Sequence, residues 1–589
     1  YEYDNRDRIT RMTDQLGRYE TYAYYTGTGI TPTTGDNLQT FTDRKGQIAT
    51  FNQYDPMNRL KKVTFNDGAT IQYTYDVVGR ATSITDSLSG TIGYTFNDFG
   101  CSNCSGRGLD LISQETTPQG SIGYTYDADY RRASMTVAGQ SAVNYTFDAA
   151  GRLTNIAAKI GTKSRTYTIG YDNAGRRTSL QIPTATNNKY VTSTYGYDIA
   201  NHLTSLLLQG ASATIENLTY SYDANGNRKN FTRTATQTLS PSVSSTNYDA
   251  ANEMLGYNNK STTYDANGNL ASKTDASGTT TYIWDARNRL TGISGPALTA
   301  SFAYDALNRR TSKTVNGTAT QYVYDRWDIV QETKSGVATN YIRALNIDEP
   351  LTRTNSTTTR HYVRDALGSI VTLADDTGVT KTTYVYDAFG NATATGEISD
   401  NPFQYTGREN DGTGLLYYRA RYYSPEMQRF ISEDPIRLWG GINYYSYVQN
   451  NPINWIDPLG LYDVTFSTGF HIPVSPGVAV GPDVSSSIKN YSGNPGNTIV
   501  ANPIGTDVAI GVIADAGVSV GISDLSGTGG KCAGYKINLG AGRYAGAQFT
   551  LRQSQDTSKS IFNPLRYIDG VSIGLGVGVA SPISISRGL

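Results

Sequence analysis

The feature that most constrains this chain is a repeat. Its unit is aromatic–any–aromatic–Asp, two further residues, Gly or Asn, and often Arg. It reads "YTYDVVGR" at 73–80, "YTFDAAGR" at 145–152, "YSYDANGNR" at 220–228 and "YIWDARNR" at 282–289. It returns as "FAYDALNR" at 302–309 and "YVYDAFGN" at 384–391, with degenerate copies at Tyr94 and Tyr54. Late copies are evenly spaced, with Asp265, Asp285, Asp305 and Asp325 following one another at a constant interval. Self-similarity at a fixed period marks a repeat architecture in which neighbouring units share one core.

The unit has the chemistry of a strand running into a tight turn. Alternating aromatics put tyrosine on one face of an extended segment, because side chains alternate across a strand. Asp suits the first turn position, where its carboxylate accepts backbone N–H groups, and Gly or Asn three residues later tolerates a positive φ. The segments that follow ("RLTNIAAK", "RRTSLQIP") alternate again, which predicts about two strands per repeat and a long, continuous β-sheet. Repeated aspartates are turn residues before they are calcium or sugar ligands, since no second acid accompanies each one. The tyrosine stripe is packing between coils before it is a carbohydrate platform.

Composition excludes several classes. Tyr is present 45 times and Gly 60, only 17% of residues are charged, and the formal net charge is −1. No global basic field points to nucleic acid or to an anionic membrane surface. No apolar run is long enough to predict a transmembrane helix. The chain begins at Tyr1 inside the repeat pattern and reads as the C-terminal portion of something longer, so its localisation has to be inferred indirectly. Cys101 and Cys104 form a lone CxxC far from Cys532. With no second CxxC or His pair, a local disulfide or two free thiols is favoured over a metal site.

The repeat resembles the YD repeat of Rhs proteins, of the C components of bacterial Tc toxins and of teneurins. That resemblance covers most of residues 1–400 and implies an all-β fold, a spiralling YD-repeat sheet closing into a hollow shell. Residues 402–461 contain "YTGRENDGTGLLYYRARYYSP", "RFISEDPI" and "NYYSYVQNNPINWIDPLGL". They resemble the Rhs-associated core. The expected organisation is a YD-repeat shell over 1–383, the core over 384–461 and a variable tail over 462–589.

Two Asp-Pro pairs lie in the core, at Asp434–Pro435 and Asp457–Pro458. Read from the residues alone, Asp-Pro is a turn device. If two carboxylates share a site, however, one retains its proton near neutral pH, placing an acid beside a base that can activate water against a peptide carbonyl. The resemblance implies the second reading: an aspartyl autoprotease that cuts after the Leu of "DPxGL". Carried over by position, the acids are Asp434 and Asp457, the supporting arginine is Arg421 (with Arg419 and Arg429 close by), and the cut falls between Leu461 and Tyr462. This chemistry requires no cofactor and no metal.

Beyond the seam the chain changes. Residues 462–589 hold no Glu, one His (His471), four Lys and four Arg. Gly-rich stretches alternate apolar and small residues and predict a small antiparallel β domain. The residue types disfavour a metal-dependent nuclease or an ADP-ribosyltransferase, and Cys532 lacks a convincing partner for nucleophilic chemistry. A soluble β domain, a membrane-active β-barrel and an enzyme not evident from its residues all stay open. The resemblance implies an exported or cell-surface toxin shell that encloses its own tail as cargo. A cognate immunity protein and a secretion or shell-completing partner follow by the same analogy. The competing reading is a non-enzymatic surface protein whose repeats mediate adhesion or bind carbohydrate.

Overall fold

The computed structural model of the protein describes residues 1–25, 37–97, 111–234, 243, 246–461 and 464–465, together with the backbone of five strands in the tail. Cys101, Cys104, His471, Cys532 and Tyr462 lie outside the described residues. The chain divides into two compact units, Tyr1–Pro476 and Gly477–Leu589. In the second unit, Ser519–Asp524 pairs antiparallel with Tyr535–Gly540, which pairs with Ile583–Ile585. A separate antiparallel pair joins Gly546–Gln553 and Ile568–Gly576.

The first unit is antiparallel β throughout. Among the described residues a 20-stranded sheet runs from Glu2–Tyr3 to Arg228–Thr232, and a 16-stranded sheet from Asn247–Tyr248 to Ala392–Gly396. Each strand pairs with the next in sequence. Among the described residues, the sheet expected from the repeat is thus in two parts, and the sequence between them is Ser/Thr-rich and lacks the aromatic–any–aromatic unit.

Every element of the repeat has a physical role. In the turn at Asp148, Oδ1 accepts the N–H groups of Ala150 and Arg152, while Oδ2 accepts Arg152 Nε at 2.7 Å. Gly151 takes φ +77° there, and Asn288 takes φ +61° at the matching place in a later copy. Where the second aromatic of a unit is Tyr or Trp, it generally reaches back about one repeat to a strand carbonyl. Tyr75 Oη donates to Leu60 O at 2.7 Å, Tyr126 Oη to Ile112 O at 2.8 Å and Trp284 Nε1 to Leu270 O at 2.9 Å. The turn arginine then stacks on the next copy's second aromatic: Arg59 on Tyr75, Arg80 on Phe96, Arg152 on Tyr171. A cation over a ring contributes about 0.5–2 kcal/mol, depending on desolvation. The aspartates therefore bind their own backbone and arginine, and these aromatics are joints between repeats.

The second sheet is covered on both faces. Strands of the first sheet alternate buried and exposed positions, as in Lys163–Tyr171, whereas five successive residues of Ile370–Asp375 are buried. Val323, Ile342, Leu351 and Val363 share a core with Ile156, Tyr167 and Leu206 of the first sheet. Their neighbours Tyr322, Tyr324, Tyr341 and Tyr362 point the other way and pack with Tyr405, Tyr418, Tyr423, Phe430 and Tyr447. Buried ion pairs cross between the sheets, among them Arg132–Asp325, Arg177–Glu349 and Arg309–Glu115. This arrangement is that of a YD-repeat β shell, with residues between Phe403 and Trp455 packed on the far face of its second sheet.

Candidate functional site

The seam is a small four-stranded sheet of Glu409–Asn410, Leu416–Tyr418, Arg421–Ser424 and Arg429–Phe430, followed by loops. Its tight hairpin pairs Tyr418 with Arg421, so Arg419 and Ala420 form the tip. Arg419 sits in the left-handed region at φ +61°, a conformation that costs a side-chain-bearing residue about 1 kcal/mol and persists where contacts hold it. Here they do. Its guanidinium donates to Asp348, Asp328 and the carbonyls of Trp327 and Pro458. Burial works to raise the Asp348 carboxyl, but the Arg408 and Arg419 guanidiniums hold it below its usual range.

This hairpin tip grips the segment 457–461 one peptide at a time. Arg419 Nη1 takes the Pro458 carbonyl, Ala420 N donates to Leu459 O at 3.1 Å, and Arg421 Nε donates to Gly460 O at 2.6 Å. Three consecutive carbonyls are thereby held by three consecutive residues. The next peptide is held from the other side: Leu461 N donates to Asp457 Oδ1 at 3.0 Å. Gly460 is at φ +69°, and a Cβ on it would lie 2.4 Å from the Tyr418 carbonyl oxygen. Only glycine lets the segment lie this close to the hairpin. Downstream, Val464–Thr465 turns back to pair with Trp455–Ile456, so the segment is the connection of a short antiparallel hairpin.

Both sequence-selected acids converge here. Arg421 Nη2 lies 2.9 Å from Asp434 Oδ2 and 3.3 Å from Asp457 Oδ2. Both carboxylates and the guanidinium are buried, at 3%, 1% and 3% exposure, so bulk water does not screen them. Arg421 Nη1 donates to Tyr444 O at 2.9 Å, and its Cζ lies 3.6 Å above the centre of the Phe430 ring. With all three of its nitrogens engaged, this arginine is fixed rather than merely near. Asp434 Oδ1 accepts Ile436 N at 2.9 Å, which turns Oδ2 inward. A Cβ on Gly440 would lie 2.2 Å from Asp434 Oδ2 and 3.0 Å from the Leu461 carbonyl oxygen, so carboxyl and carbonyl share one small space.

Of the three arginines singled out by sequence, Arg421 meets the acids and Arg419 holds the Pro458 carbonyl. Arg429 is elsewhere, donating to Asn252 O at 2.7 Å and lying over Tyr445. Sequence reasoning missed the grip on the segment, Gly440, and the partners of Glu433 and Arg437 described below. Nothing local in the sequence marks a partner at the far end of the chain.

Comparison with known proteins bears on the fold and its lineage. A family model described as the teneurin YD-shell matches residues 117–453, and one described as the RHS repeat matches 54–91. The larger match takes in Arg421 and Asp434 and ends before Asp457. The tRNA3(Ser)-specific nuclease WapA of Bacillus spizizenii is 33% identical over 256 residues, 41% of this chain and 11% of that protein. Double-stranded DNA deaminase toxin A of Burkholderia cenocepacia is 28% identical over 253 residues, 36% of this chain and 18% of that one. Toxin subunit YenC1 of Yersinia entomophaga is 37% identical over 107 residues, 17% of this chain and 11% of the subunit. The chain thus corresponds to less than a fifth of each of these relatives. Among solved structures, the TcdB2-TccC3-Cdc42 crystal structure superposes with a TM-score of 0.53 at 16% identity, covering 75% of this chain and 27% of that one.

Proposed function

The chain belongs to the teneurin YD-shell family, and on that premise we propose that it is the shell portion of an exported toxin that cuts itself after Leu461 and so frees residues 462–589. The observation that carries this reading is the meeting of Asp434 and Asp457 on one guanidinium nitrogen, with the Leu461 carbonyl beside Asp434. Relatives named as a nuclease, a deaminase toxin and a toxin subunit support a toxin shell whose activity resides in a separate segment.

The roles follow from the geometry. Asp434 Oδ2, next to the Leu461 carbonyl oxygen, carries the proton that stabilises negative charge developing there. Asp457 is the carboxylate that takes a proton from water, while its Oδ1 holds the Leu461 N–H. Arg421 keeps the two acids together and offsets the negative charge that they share. Water oxygen bonds to the Leu461 carbonyl carbon, the C–N bond to Tyr462 breaks, and a proton passes to the Tyr462 amine. The backbone grip from 419–421 supplies the orientation, worth several orders of magnitude in an intramolecular reaction. We further read residues 462–589 as cargo enclosed by the shell, so that cutting and escape are separate events.

Intact-mass spectrometry of the chain beside Asp434→Asn and Asp457→Asn tests the cut. Fragments meeting at Leu461/Tyr462 in the parent and absent from both variants are expected. Masses meeting at Asp434/Pro435 or Asp457/Pro458 would mean acid lability of Asp-Pro bonds instead. Protection of the 462–589 fragment from added protease tests enclosure; digestion at the rate of the isolated fragment would refute it.

A further inference from the structure

The loop that carries Asp434 is held from both sides by the first hairpins of the chain. Glu433, one residue before the acid, is gripped by both terminal nitrogens of Arg44, with Nη1 3.0 Å from Oε1 and Nη2 on Oε2. Arg44 also reaches Asp14 Oδ2 at 2.8 Å and the Asn267 carbonyl at 2.9 Å, and its side chain is 4% exposed. Three residues after the acid, Arg437 Nη2 meets Glu20 Oε2 at 2.5 Å, and Nη1 lies 3.1 Å from Met12 Sδ. Glu20 is itself buried and bonded by Tyr22 Oη. The two contacts bracket Asp434 and arise from the stretch 12–44, near the start of the sequence.

The ends of the loop are held by Leu270 N on the Ile431 carbonyl at 2.8 Å and by Tyr445 Oη on the Gly268 carbonyl at 2.7 Å, and Arg421 reaches Asp434 and the Tyr444 carbonyl from within the seam. Beyond Asp434 it bears exposed Leu438 and Ile442, the latter 90% exposed, so its outer half lacks a core of its own. Internal bonds shape it (Asp434 N to Tyr444 O, Arg437 N to Asp434 O), but these set its form rather than its location. Location matters most for Asp434, whose Oδ2 must stay 2.9 Å from Arg421 and beside the Leu461 carbonyl. Removing one member of a buried ion pair leaves the other desolvated and unpaired, so the loop relaxes toward water rather than staying in place.

We propose that Arg44 and Glu20 are positioning residues for Asp434, so that the cut waits until the first hairpins have folded onto the seam. This rests on the self-cleavage reading above. It adds a control to it: the acid is carried by a loop anchored on hairpins 389 positions earlier in the chain, and a chain in which those hairpins are not seated does not cut. The device needs no effector, since the anchor is a part of the shell that the tail must not outrun.

The test uses the full-length chain and follows the fraction cut at Leu461 against time after cell-free synthesis. Arg44→Met and Glu433→Gln are expected to slow cutting at least tenfold in the folded monomer, and Glu20→Gln several-fold. Arg44→Lys, which keeps the charge on Glu433, restores most of the rate. As a control, Arg165→Met removes a two-pronged inter-sheet pair with Asp376 of similar construction and leaves cutting within twofold. Parent-like rates in folded Glu433→Gln and Glu20→Gln would overturn the proposal, as would equal slowing by Arg165→Met. Should Asp434→Asn still be cut at Leu461, the self-cleavage reading itself fails. Loss in Asp434→Asn with parent rates in the Arg44 and Glu433 variants fails only the positioning role.

Discussion

Gly460→Ala tests the grip on the segment proposed to be cut, without touching an ionisable group. A methyl group at this position would lie 2.4 Å from the Tyr418 carbonyl oxygen and 3.1 Å from Arg421 N, and both are backbone atoms that cannot rotate aside. A carbon–oxygen contact relaxes at about 3.3–3.5 Å, so segment and hairpin must part by about 1 Å. The left-handed φ of +69° adds about 1–2 kcal/mol against alanine. Displacement therefore falls on the carbonyls held by Ala420 and Arg421, and through them on the Leu461 peptide. A misplacement of about 1 Å costs an enzyme on the order of 100-fold in rate, about 2.7 kcal/mol at the transition state.

The expected outcome is a cleavage half-time about 100-fold longer than the parent's, read as the appearance of the 462–589 fragment on a gel after synthesis. The shell itself should fold, because Gly460 lies in a connection outside the two large sheets. Far-UV circular dichroism and the thermal midpoint of the uncut variant serve as controls. A Gly460→Ala chain that cuts within twofold of the parent would refute the claim that the grip by residues 419–421 presents the bond. A chain that misfolds outright would place the glycine in the shell's stability and refute the same claim.

Three other outcomes follow from the same geometry. Arg421→Lys loses the fork that spans Asp434, Asp457, Gly460 O and Tyr444 O, since one ammonium centre cannot reach both acids and both carbonyls together; cutting should fall at least 100-fold in a densitometric time course. Burial would raise the Glu349 carboxyl, but Arg177 and Arg364 hold it down to about 2, against an ordinary 4.5. That stability is complete above pH 4.5 and is lost as the pH falls toward 2; Glu349→Gln should flatten the urea midpoint over this window by up to about 3 kcal/mol. Residues 1–461, once cut, keep their own C-terminal segment in the grip, so a peptide spanning residues 452–470 should remain intact after overnight incubation with the cut protein.

Much of the fold is legible because the unit is local. The aspartate of each turn finds its partners two and four residues on, as Asp148 does with Ala150 and Arg152, and a reader of the sequence sees donor and acceptor together. The stacking of Arg152 on Tyr171 spans one repeat and is implicit in the period, although the motif alone does not reveal it. Contacts between sheets have no such signal. Arg132 meets Asp325 and Arg44 meets Glu433 because coils laid down far apart come to lie side by side, and the period is the same whichever coils adjoin. The site divides in the same way. Asp434, Asp457 and Arg421 are suggested by resemblance in a short stretch, whereas Gly440 and the Glu433 anchor depend on long-range packing.

On the self-cleavage proposed above, the seam faces a timing problem that its packing addresses chemically. Its acids, its arginine and its bond all lie on the one stretch 421–462, and a local fold of that stretch alone would allow the cut before the shell exists. The seam cannot assemble on its own, however. Tyr418, Tyr423, Phe430 and Tyr447 are buried against Tyr322, Tyr341 and Tyr362 of the second sheet, and Arg419 is fixed by Asp328 and Asp348 from its turns. The left-handed Arg419 and the buried Arg421 are each costly without those partners. Catalytic geometry therefore forms only on completion of the second sheet, and on the positioning role proposed for Arg44 and Glu20, only once the first sheet's opening hairpins are seated as well. Buried charge, which adds little net stability to a shell, is in this setting a means of making one reaction conditional on the whole fold.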